Sequence, residues 1–149
     1  MQSAVMFSRA SDNWSTPQDF WDSLNEEFHF VLDAAATAEN TKCPRYLSCT
    51  GNALTADWTP YRMIWLNPPY SQCRKFIAKA ADAAKHGATV VCLVPSRTDT
   101  RWWHERVWDR SQHAARPGVE IRFLKGRLTF GGATAGAPFP SVVIIFRGA

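Results

Sequence analysis

The sequence predicts a three-layer α/β fold, in which a sheet with mixed strand pairing lies between layers of helix. Apolar runs typical of strands alternate with segments of helical spacing over the first two thirds of the chain. The last third adds a predicted hairpin and one more apolar strand, with no helix between them. With 149 residues, 46% of them hydrophobic and 20% charged, the chain can bury the core of one globular domain.

The N-terminal segment is predicted to form one helix and one strand after a loose polar lead-in at residues 1–13. Thr16 is the expected N-cap and Pro17 the first helical residue, and apolar residues follow at helical spacing at Phe20, Trp21, Leu24 and Phe28. Residues 28–33 (FHFVLD) have the composition of a strand.

The central segment contains the most regular patterns. Residues 34–57 are polar and irregular, with at most one short helix expected near residues 36–40. Residues 63–66 (MIWL) predict a short strand. Residues 73–86 carry an apolar face at helical spacing and predict a helix that the following glycine ends. Residues 88–94 (ATVVCLV) predict a strand buried on both faces.

The C-terminal segment is predicted to contain one helix and three strands. The helix is expected to be capped by Asp99 and to run to about Arg110. Residues 119–124 and 127–130 are predicted to pair as a hairpin around a tight turn, and 141–147 (SVVIIFR) form a last buried strand.

Three polar or turn residues each directly follow a predicted strand: Asp33, Asn67 and Pro95. In open α/β sheets, ligands bind in the crevice beyond the carboxyl ends of the strands. If these strands are parallel neighbours, all three residues face one crevice.

The segment Asn67-Pro68-Pro69-Tyr70 has the groups needed to methylate an amino group on a base. The lone pair of such a nitrogen is delocalised into the ring, so acceptors must hold both N–H hydrogens and direct the lone pair towards the methyl donor. The side-chain oxygen of Asn67 is one candidate acceptor, and the backbone carbonyl of Pro68 is another. Two successive prolines fix the backbone and display the carbonyls rigidly.

Tyr70 can stack on a base that has left its duplex. Flipping a base out costs a few kcal/mol, and stacking on one aromatic ring returns about 1–3 kcal/mol. The alternative interpretation is a simple strand-ending turn, because Asn and Pro commonly end strands.

Further short motifs occur along the chain in a fixed order: Trp14-x-Thr16-Pro17, Leu32-Asp33-Ala34-Ala35-Ala36, Glu39-Asn40-x-Lys42-Cys43, Pro95-Ser96-Arg97-Thr98-Asp99-Thr100-x-Trp102-Trp103, Gly126-Arg127-Leu128-x-Phe130-Gly131-Gly132 and Ala137-Pro138-Phe139-Pro140-Ser141. With these motifs, the chain from Trp14 onward resembles the small DNA N6-adenine methyltransferases of phages and prophages. The resemblance implies a Rossmann-like methyltransferase sheet with a C-terminal hairpin, in one catalytic domain at residues 14–149. The sheet is expected to be reduced, because only 33 residues separate Asp33 from Asn67.

The resemblance implies S-adenosylmethionine as cofactor, with Thr16, Pro17 and Asp33 contributing to its binding site and Asn67 bordering it. A hydroxyl and free N–H groups at a helix start suit the carboxylate of this cofactor. Asp33 can accept from its amino group, and the alternative role of Asp33 is to cap the next segment.

The cofactor loop and the ribose contact depart from a full methyltransferase pattern. No glycine-rich loop follows Asp33, although Ala34 and Ala35 still permit close approach of the backbone. The acidic residue for the ribose hydroxyls is expected to be Asp57, with Glu39 as the alternative.

DNA is the expected partner. The chain has 17 Lys and Arg against 13 Asp and Glu, and the net charge of +4 permits a polyanionic partner. Basic residues on or beside predicted loops are candidate contacts, as are two aromatic residues, of which the tryptophan lies on the helix predicted to start at Asp99. The alternative is solvated charge for the basic residues and core packing for the tryptophan. These candidates are Arg97, Arg101, Trp102, Lys125, Arg127 and Phe139.

Other features argue against a metal enzyme or a membrane protein. His104, His113, Cys43 and Cys49 have no metal-ligand spacing, so no metal is expected. No apolar run has the length of a signal peptide or a membrane span, which predicts a protein of the bacterial cytoplasm. Two alternatives stay open: a methyltransferase acting on protein glutamine or RNA, and an inactive module of the same fold that only binds DNA.

Overall fold

The computed structural model describes residues 15–130 and 136–149, and the predicted three-layer α/β fold is confirmed within them. A six-stranded mixed sheet lies between two α-helices, and a small two-stranded ribbon lies beside it. The elements in chain order are α1 (Gln18–Phe28), β1 (Leu32–Ala36), β2 (Tyr46–Ser48), β3 (Met63–Leu66), α2 (Cys73–Lys85), β4 (Thr89–Pro95), β5 (Trp108–Asp109), β6 (Ala114–Ala115), β7 (Val119–Phe123) and β8 (Ser141–Phe146).

The sheet has the strand order β2-β1-β3-β4-β8-β7. The first four strands pair in parallel, whereas β8 is antiparallel to both β4 and β7. Pro95 at the end of β4 therefore pairs with Ser141 at the start of β8, and Phe123 at the end of β7 pairs with Val142. All of these ends meet at one edge of the sheet, here called the carboxyl edge.

The central strands are buried on both faces because a helix packs against each. On one face, Trp21, Leu24 and Phe28 of α1 contact a cluster that includes Trp65, Val91 and Ile145. On the other face, Phe76 and Ile77 of α2 contact the alternate residues of the strands, among them Ile64, Val90, Cys92 and Ile144. Each fully buried aliphatic or aromatic side chain contributes roughly 1.5–3 kcal/mol, so this alternation fixes the register of the sheet.

The predicted helix at residues 73–86 is confirmed as α2, which ends at Lys85 before Gly87 with a positive φ of 102°. The strand at residues 28–33 is wrong in its limits, because α1 continues through Phe28, whose side chain completes its buried face. His29 adopts a left-handed conformation with φ 55° and donates to the carbonyl of Asn25, which ends the helix.

The consequence is that β1 begins at Leu32, so Asp33 is the second residue of a strand and does not follow one. The short helix expected at residues 36–40 is also wrong, since Thr37 and Asn40 form a turn. Their side chains and backbone N–H groups hydrogen-bond each other at 2.8 and 3.2 Å.

The C-terminal hairpin is wrong in its pairing. Residues 119–124 correspond to β7, but β7 pairs with β8, and residues 127–130 form no strand. The physical reason is that β8 is buried along its whole length, so its backbone groups need hydrogen-bond partners on both sides, and β4 and β7 supply them. The helix expected from Asp99 to Arg110 is shorter, because helical structure begins at Arg101 and ends in a π-helical turn at Trp103–Val107.

The connection between β1 and β3 contains only β2 and a short 3-10 turn at Thr59–Tyr61, so the sheet is reduced as expected. The predicted lead-in at residues 1–13 lies outside the described residues, as do Trp14, Gly131 and Gly132 of the motifs. In residues 15–130 and 136–149, no helix combines the length and the apolar character needed to cross a membrane. The four cysteines are buried.

Candidate active site

A cleft opens at the carboxyl edge between β1 and β3, on the face of the sheet that α1 covers. Two residues come from β1, one from β3 and one directly after it, two from the approach to α1 and two from the loop after β1. They are Asp33 and Ala35, Trp65 and Asn67, Ser15 and Thr16, and Asn40 and Lys42. The cleft therefore brings together four residues that the sequence predicted for one site: Thr16, Asp33, Ala35 and Asn67.

Thr16 and Asn67 are in direct contact across this cleft. The side-chain Nδ2 of Asn67 donates to Oγ1 of Thr16 at 3.1 Å, although the two residues are 51 positions apart. Thr16 is only 3% exposed. The expectation that Thr16 caps α1 is wrong, because Pro17 occupies the N-cap position and no side chain caps the helix. The hydroxyl of Thr16 faces the end of β3 instead.

Asp33 is a buried carboxylate at the base of the cleft, 3% exposed. Its Oδ2 accepts from the backbone N–H of Lys42 at 2.9 Å, and its Oδ1 accepts a longer bond of 3.4 Å from the N–H of Ala35. Burial raises the pKa of Asp33 to about 6, against the opposing effects of these hydrogen bonds and of the nearby Lys42 charge. Asp33 holds the loop that follows β1 and caps no helix in this structure.

Lys42 places a cation at the same cleft. Its Nζ donates to Oε1 of Gln18 in the first turn of α1 at 2.9 Å, so the loop after β1 is joined to the helix start. Partial burial lowers the pKa of Lys42, and the charges of Asp33 and Asp22 oppose that shift. A cation, a hydroxyl and a buried carboxylate thus line one cleft, and together they can bind a ligand with groups of both charges.

Ala34, Ala35, Pro17 and Glu39, which were also predicted for the cofactor site, lie at different distances from the cleft. Ala35 lines the cleft, whereas Ala34 is not among the lining residues and its side chain is buried on the α2 face. Pro17 starts α1 beside the cleft but is not among its lining residues. Glu39 is exposed in the turn next to Asn40.

The assignment of Asp57 to the ribose site is wrong. Asp57 lies before β3, at the edge of the sheet opposite the cleft, and it is exposed. Its Oδ1 accepts from the backbone N–H and the hydroxyl of Thr59 at 3.0 and 2.7 Å, which starts the 3-10 turn there. The sequence pattern did not separate this turn-forming role from a ligand contact.

The segment after β3 turns sharply and carries an aromatic residue into the structure. Pro68 and Pro69 are buried, and the carbonyl of Pro69 accepts from the N–H of Gln72 at 2.9 Å. The hydroxyl of Tyr70 is buried and has no hydrogen-bond partner among the described residues. Burial raises the pKa of Tyr70 well above its usual value.

Tyr70 belongs to an aromatic wall, defined here as Tyr70, Phe139 and Phe130. The rings of Tyr70 and Phe139 meet edge to face with centroids 5.4 Å apart, and Phe139 lies 6.2 Å from Phe130. Phe139 is half-buried. The wall places an aromatic surface beside the Asn67–Tyr70 segment.

The four predicted basic contacts are all exposed, and they follow strands that end at the carboxyl edge. Arg97 and Arg101 follow β4, whereas Lys125 and Arg127 follow β7. Arg127 donates to the carbonyl of Ala137 at 3.2 Å, which ties it to the segment that carries Phe139. Their positions are compatible with one polyanion crossing this edge.

Trp102 does not present its ring to a partner. Trp102 and Trp103 are 6% and 3% exposed, contact each other with ring centroids 5.9 Å apart and belong to the core on the α2 face. The idea that Trp102 stacks on nucleic acid is therefore wrong for this structure. The large indole ring of Trp102 is used for core packing and is therefore not available to stack on a partner.

Sequence reasoning missed four cleft residues: Ser15, Asn40, Lys42 and Trp65. Asn40 and Lys42 stood in one of the ordered motifs without an assigned role, so a signal was present for them. Trp65 lay in the middle of an apolar run, where only its position facing α1 distinguishes it. Among the described residues, no three His, Cys, Asp or Glu side chains are grouped so as to hold a metal ion.

Comparison with known proteins identifies the family. The family model described as DNA N-6-adenine-methyltransferase (Dam) matches residues 3–148. A DNA N-6-adenine-methyltransferase of Escherichia phage T1 is 36% identical over 119 residues, covering 79% of this chain and 47% of that protein. One of the same name from Haemophilus phage HP1 is 36% identical over 95 residues, covering 62% of this chain and 54% of that protein.

The chain spans about half the length of the curated relatives it matches. No solved structure matches it. Because the family model matches almost the whole chain, and because the cleft lies beside an Asn-Pro-Pro-Tyr segment, the resemblance seen in the motifs is confirmed: the chain belongs to the DNA N-6-adenine-methyltransferase (Dam) family.

Proposed function

We propose that this protein transfers a methyl group from S-adenosylmethionine to the exocyclic amino group of a flipped adenine in DNA, with residues 14–149 as one catalytic domain. The observation that carries the proposal is the contact of Asn67 with Thr16 at the boundary of a polar cleft and a proline-fixed turn. Membership of the family supports the same reaction. The proposed place of action is the cytoplasm of a bacterial host cell, where DNA is available.

The chemistry of the cleft fits the amino-acid end of the cofactor. Thr16 and Lys42 are a hydroxyl donor and a cation for its carboxylate, beside the start of α1. Asp33 is a buried carboxylate for its amino group. The cofactor supplies an electrophilic methyl group. Glu39, next to Asn40, is the remaining acidic candidate for the ribose hydroxyls, while Ala35 lines the cleft and Pro17 starts α1 beside it.

The Asn67–Tyr70 segment acts on the base. The side-chain oxygen of Asn67 and the carbonyl of Pro68 accept the two amino hydrogens of adenine, which directs the nitrogen lone pair towards the cleft. Pro69 fixes the turn by using its own carbonyl for Gln72. These acceptors are held before the reaction begins, so little reorganisation is needed when charge develops.

The flipped base would stack against Tyr70, with Phe139 in the same wall. Stacking of about 1–3 kcal/mol per base offsets most of the cost of extrusion. Arg97, Arg101, Lys125 and Arg127 would contact phosphates around the extruded nucleotide. Such contacts give affinity without reading sequence.

Methylation of DNA from a methylation-free host tests this proposal. The purified protein is incubated with that DNA and methyl-labelled S-adenosylmethionine, and the nucleosides are analysed by mass spectrometry after digestion. N6-methyladenine is the expected product. Label in added RNA, in a protein glutamine or on cytosine would replace the proposal with another methyltransferase activity. Cofactor binding without any transfer would leave an inactive DNA-binding module.

A further inference from the structure

The hydrogen bond between Thr16 and Asn67 has a direction, and that direction decides which end of the amide faces the base. An asparagine amide has a donor end and an acceptor end, and rotation about its last side-chain bond is soft and roughly two-fold. Only the orientation with the oxygen towards adenine accepts an amino hydrogen. In the opposite orientation, the NH₂ group of Asn67 faces the amino group of adenine, and both groups are donors.

A threonine hydroxyl can pair with either end of the amide, because it has one hydrogen to donate and lone pairs to accept with. In this structure it accepts from Nδ2 of Asn67. Its single hydrogen then points elsewhere, and Thr16 also lines the cleft proposed for the cofactor. When the hydroxyl donates that hydrogen to the cofactor's carboxylate, it is left only with lone pairs for Asn67.

We propose that Thr16 is a positioning residue that transmits cofactor occupancy to Asn67, because its hydroxyl can only accept from the amide once its own hydrogen is engaged in the cleft. This inference rests on the proposed function. With the cofactor bound, the hydroxyl of Thr16 can only accept a hydrogen bond from Asn67. It therefore pairs with Nδ2 of the amide, and the oxygen of Asn67 faces the base. When the cleft is empty, the hydroxyl can pair with either end of the amide, so filling the cleft favours the orientation that receives the base.

This coupling from the cofactor through Thr16 to Asn67, here called the relay, predicts that cofactor and DNA strengthen each other's binding. Coupling between two sites is reciprocal. S-adenosylhomocysteine, which keeps the carboxylate, is the probe. Calorimetry should show that DNA tightens its binding to the wild-type protein by about fivefold or more, the lower end of ordinary coupling. Thr16→Val keeps the shape of the side chain, removes the hydroxyl and should abolish the coupling, whereas Thr16→Ser should retain it.

Kinetics provide a second measurement that a purely structural role would not reproduce. Thr16→Val should lower kcat by on the order of tenfold in the wild-type background. In an Asn67→Asp background the same change should cost less than about twofold, because a carboxylate presents an oxygen on either side and needs no orienting. Thr55→Val is the matched control, since it removes an exposed hydroxyl that bonds to the carbonyl of Asn52, outside the cleft.

Several outcomes would overturn the relay. They are an absence of coupling in the wild-type protein, intact coupling in Thr16→Val, or an equal loss of kcat in both backgrounds. If Asn67→Asp turns over too slowly for measurement, the calorimetric comparison decides. Failure of the proposed function is recognised separately, because a wild-type protein that forms no N6-methyladenine removes the reaction and the relay with it.

Discussion

The ring of Phe139 packs edge-on against the ring of Tyr70, with centroids 5.4 Å apart and planes inclined at 80°. The two residues come from distant parts of the chain, and the backbone N–H of Ser96 donates to the carbonyl of Pro140 at 2.9 Å beside them. The loop after β4 and the approach to β8 therefore support the same aromatic wall. Any base that stacks on Tyr70 does so within this wall.

Tyr70 should depend on its ring and not on its hydroxyl. The hydroxyl is buried without a hydrogen-bond partner among the described residues, so removing it leaves no group unsatisfied. Tyr70→Phe should keep kcat within about threefold and leave the unfolding temperature unchanged or higher. Tyr70→Ala should lower kcat by tenfold or more, which is about the effect expected when the stacking energy of one base is lost. Equal damage by the two substitutions, measured by methyl transfer and thermal unfolding, would show that the hydroxyl itself takes part.

Asn67→Ala should abolish most catalysis while cofactor binding largely survives. The substitution removes one preorganised acceptor, and loss of such a group typically costs about 10²–10³ in rate. Asn67→Asp should retain part of the activity, since a carboxylate also accepts. Single-turnover transfer from labelled cofactor measures the rate, and calorimetry measures the affinity. Asn25→Ala is the matched control, because that amide bonds to the N–H of Phe30 in the connection from α1 to β1. Turnover of Asn67→Ala at the wild-type rate would contradict the assignment.

Asp33→Ala should weaken S-adenosylmethionine about tenfold or more, which corresponds to roughly 1.4 kcal/mol for one charge-assisted contact. In the wild-type protein the affinity should rise as the pH passes upward through about 6, where Asp33 becomes ionised. Above that range it should level off. Calorimetry of the wild-type protein and of Asp33→Ala between pH 5 and 8 provides the comparison. The same pH profile in both proteins would remove Asp33 from the cofactor site.

Asp33 should also lower the free energy of unfolding at neutral pH. Burial raises its folded-state pKa from 3.8 to about 6, so the folded protein binds more protons than the unfolded chain between these values. Stability from this group is therefore greatest below pH 3.8 and falls as the pH rises to about 6, by at most about 3 kcal/mol. Asp33→Asn, which can still accept from Lys42, should not show that fall. Denaturant unfolding of both proteins at pH 5 and 8 measures the difference, and parallel pH dependences would refute it.

DNA affinity should fall steeply with salt, and the exposed basic residues at the carboxyl edge should set the slope. Each phosphate contact contributes a log–log slope of about −0.9, so Arg97→Ala or Lys125→Ala should reduce the slope by about one unit. Lys85→Ala is the matched control, because Lys85 is exposed at the end of α2, near the start of β4 and away from the carboxyl edge. Binding that ignores salt, or equal effects of Lys85→Ala and Lys125→Ala, would place the DNA elsewhere.

The sequence by itself determined the elements with regular local patterns. The strand MIWL before Asn67 corresponds to β3 at Met63–Leu66, and the helix before Gly87 corresponds to α2. Their signals are local, because apolar spacing and turn residues act within a few positions. The alternation of such elements was sufficient for the fold class, and the proline-rich turn was sufficient to mark the candidate site.

Only the tertiary structure decided which distant residues meet. Asp57 and Lys42 both follow β1 in sequence, yet Lys42 enters the cleft, whereas Asp57 lies at the opposite edge. The contact of Thr16 with Asn67 spans 51 positions and depends on how α1 packs on the face of the sheet that carries Trp65. Likewise, β7 pairs with β8 because the backbone N–H and C=O groups on the side of β8 away from β4 need hydrogen-bond partners in a buried strand. Strand order and helix placement depend on how much apolar surface the whole chain buries. A short stretch of sequence does not determine that quantity.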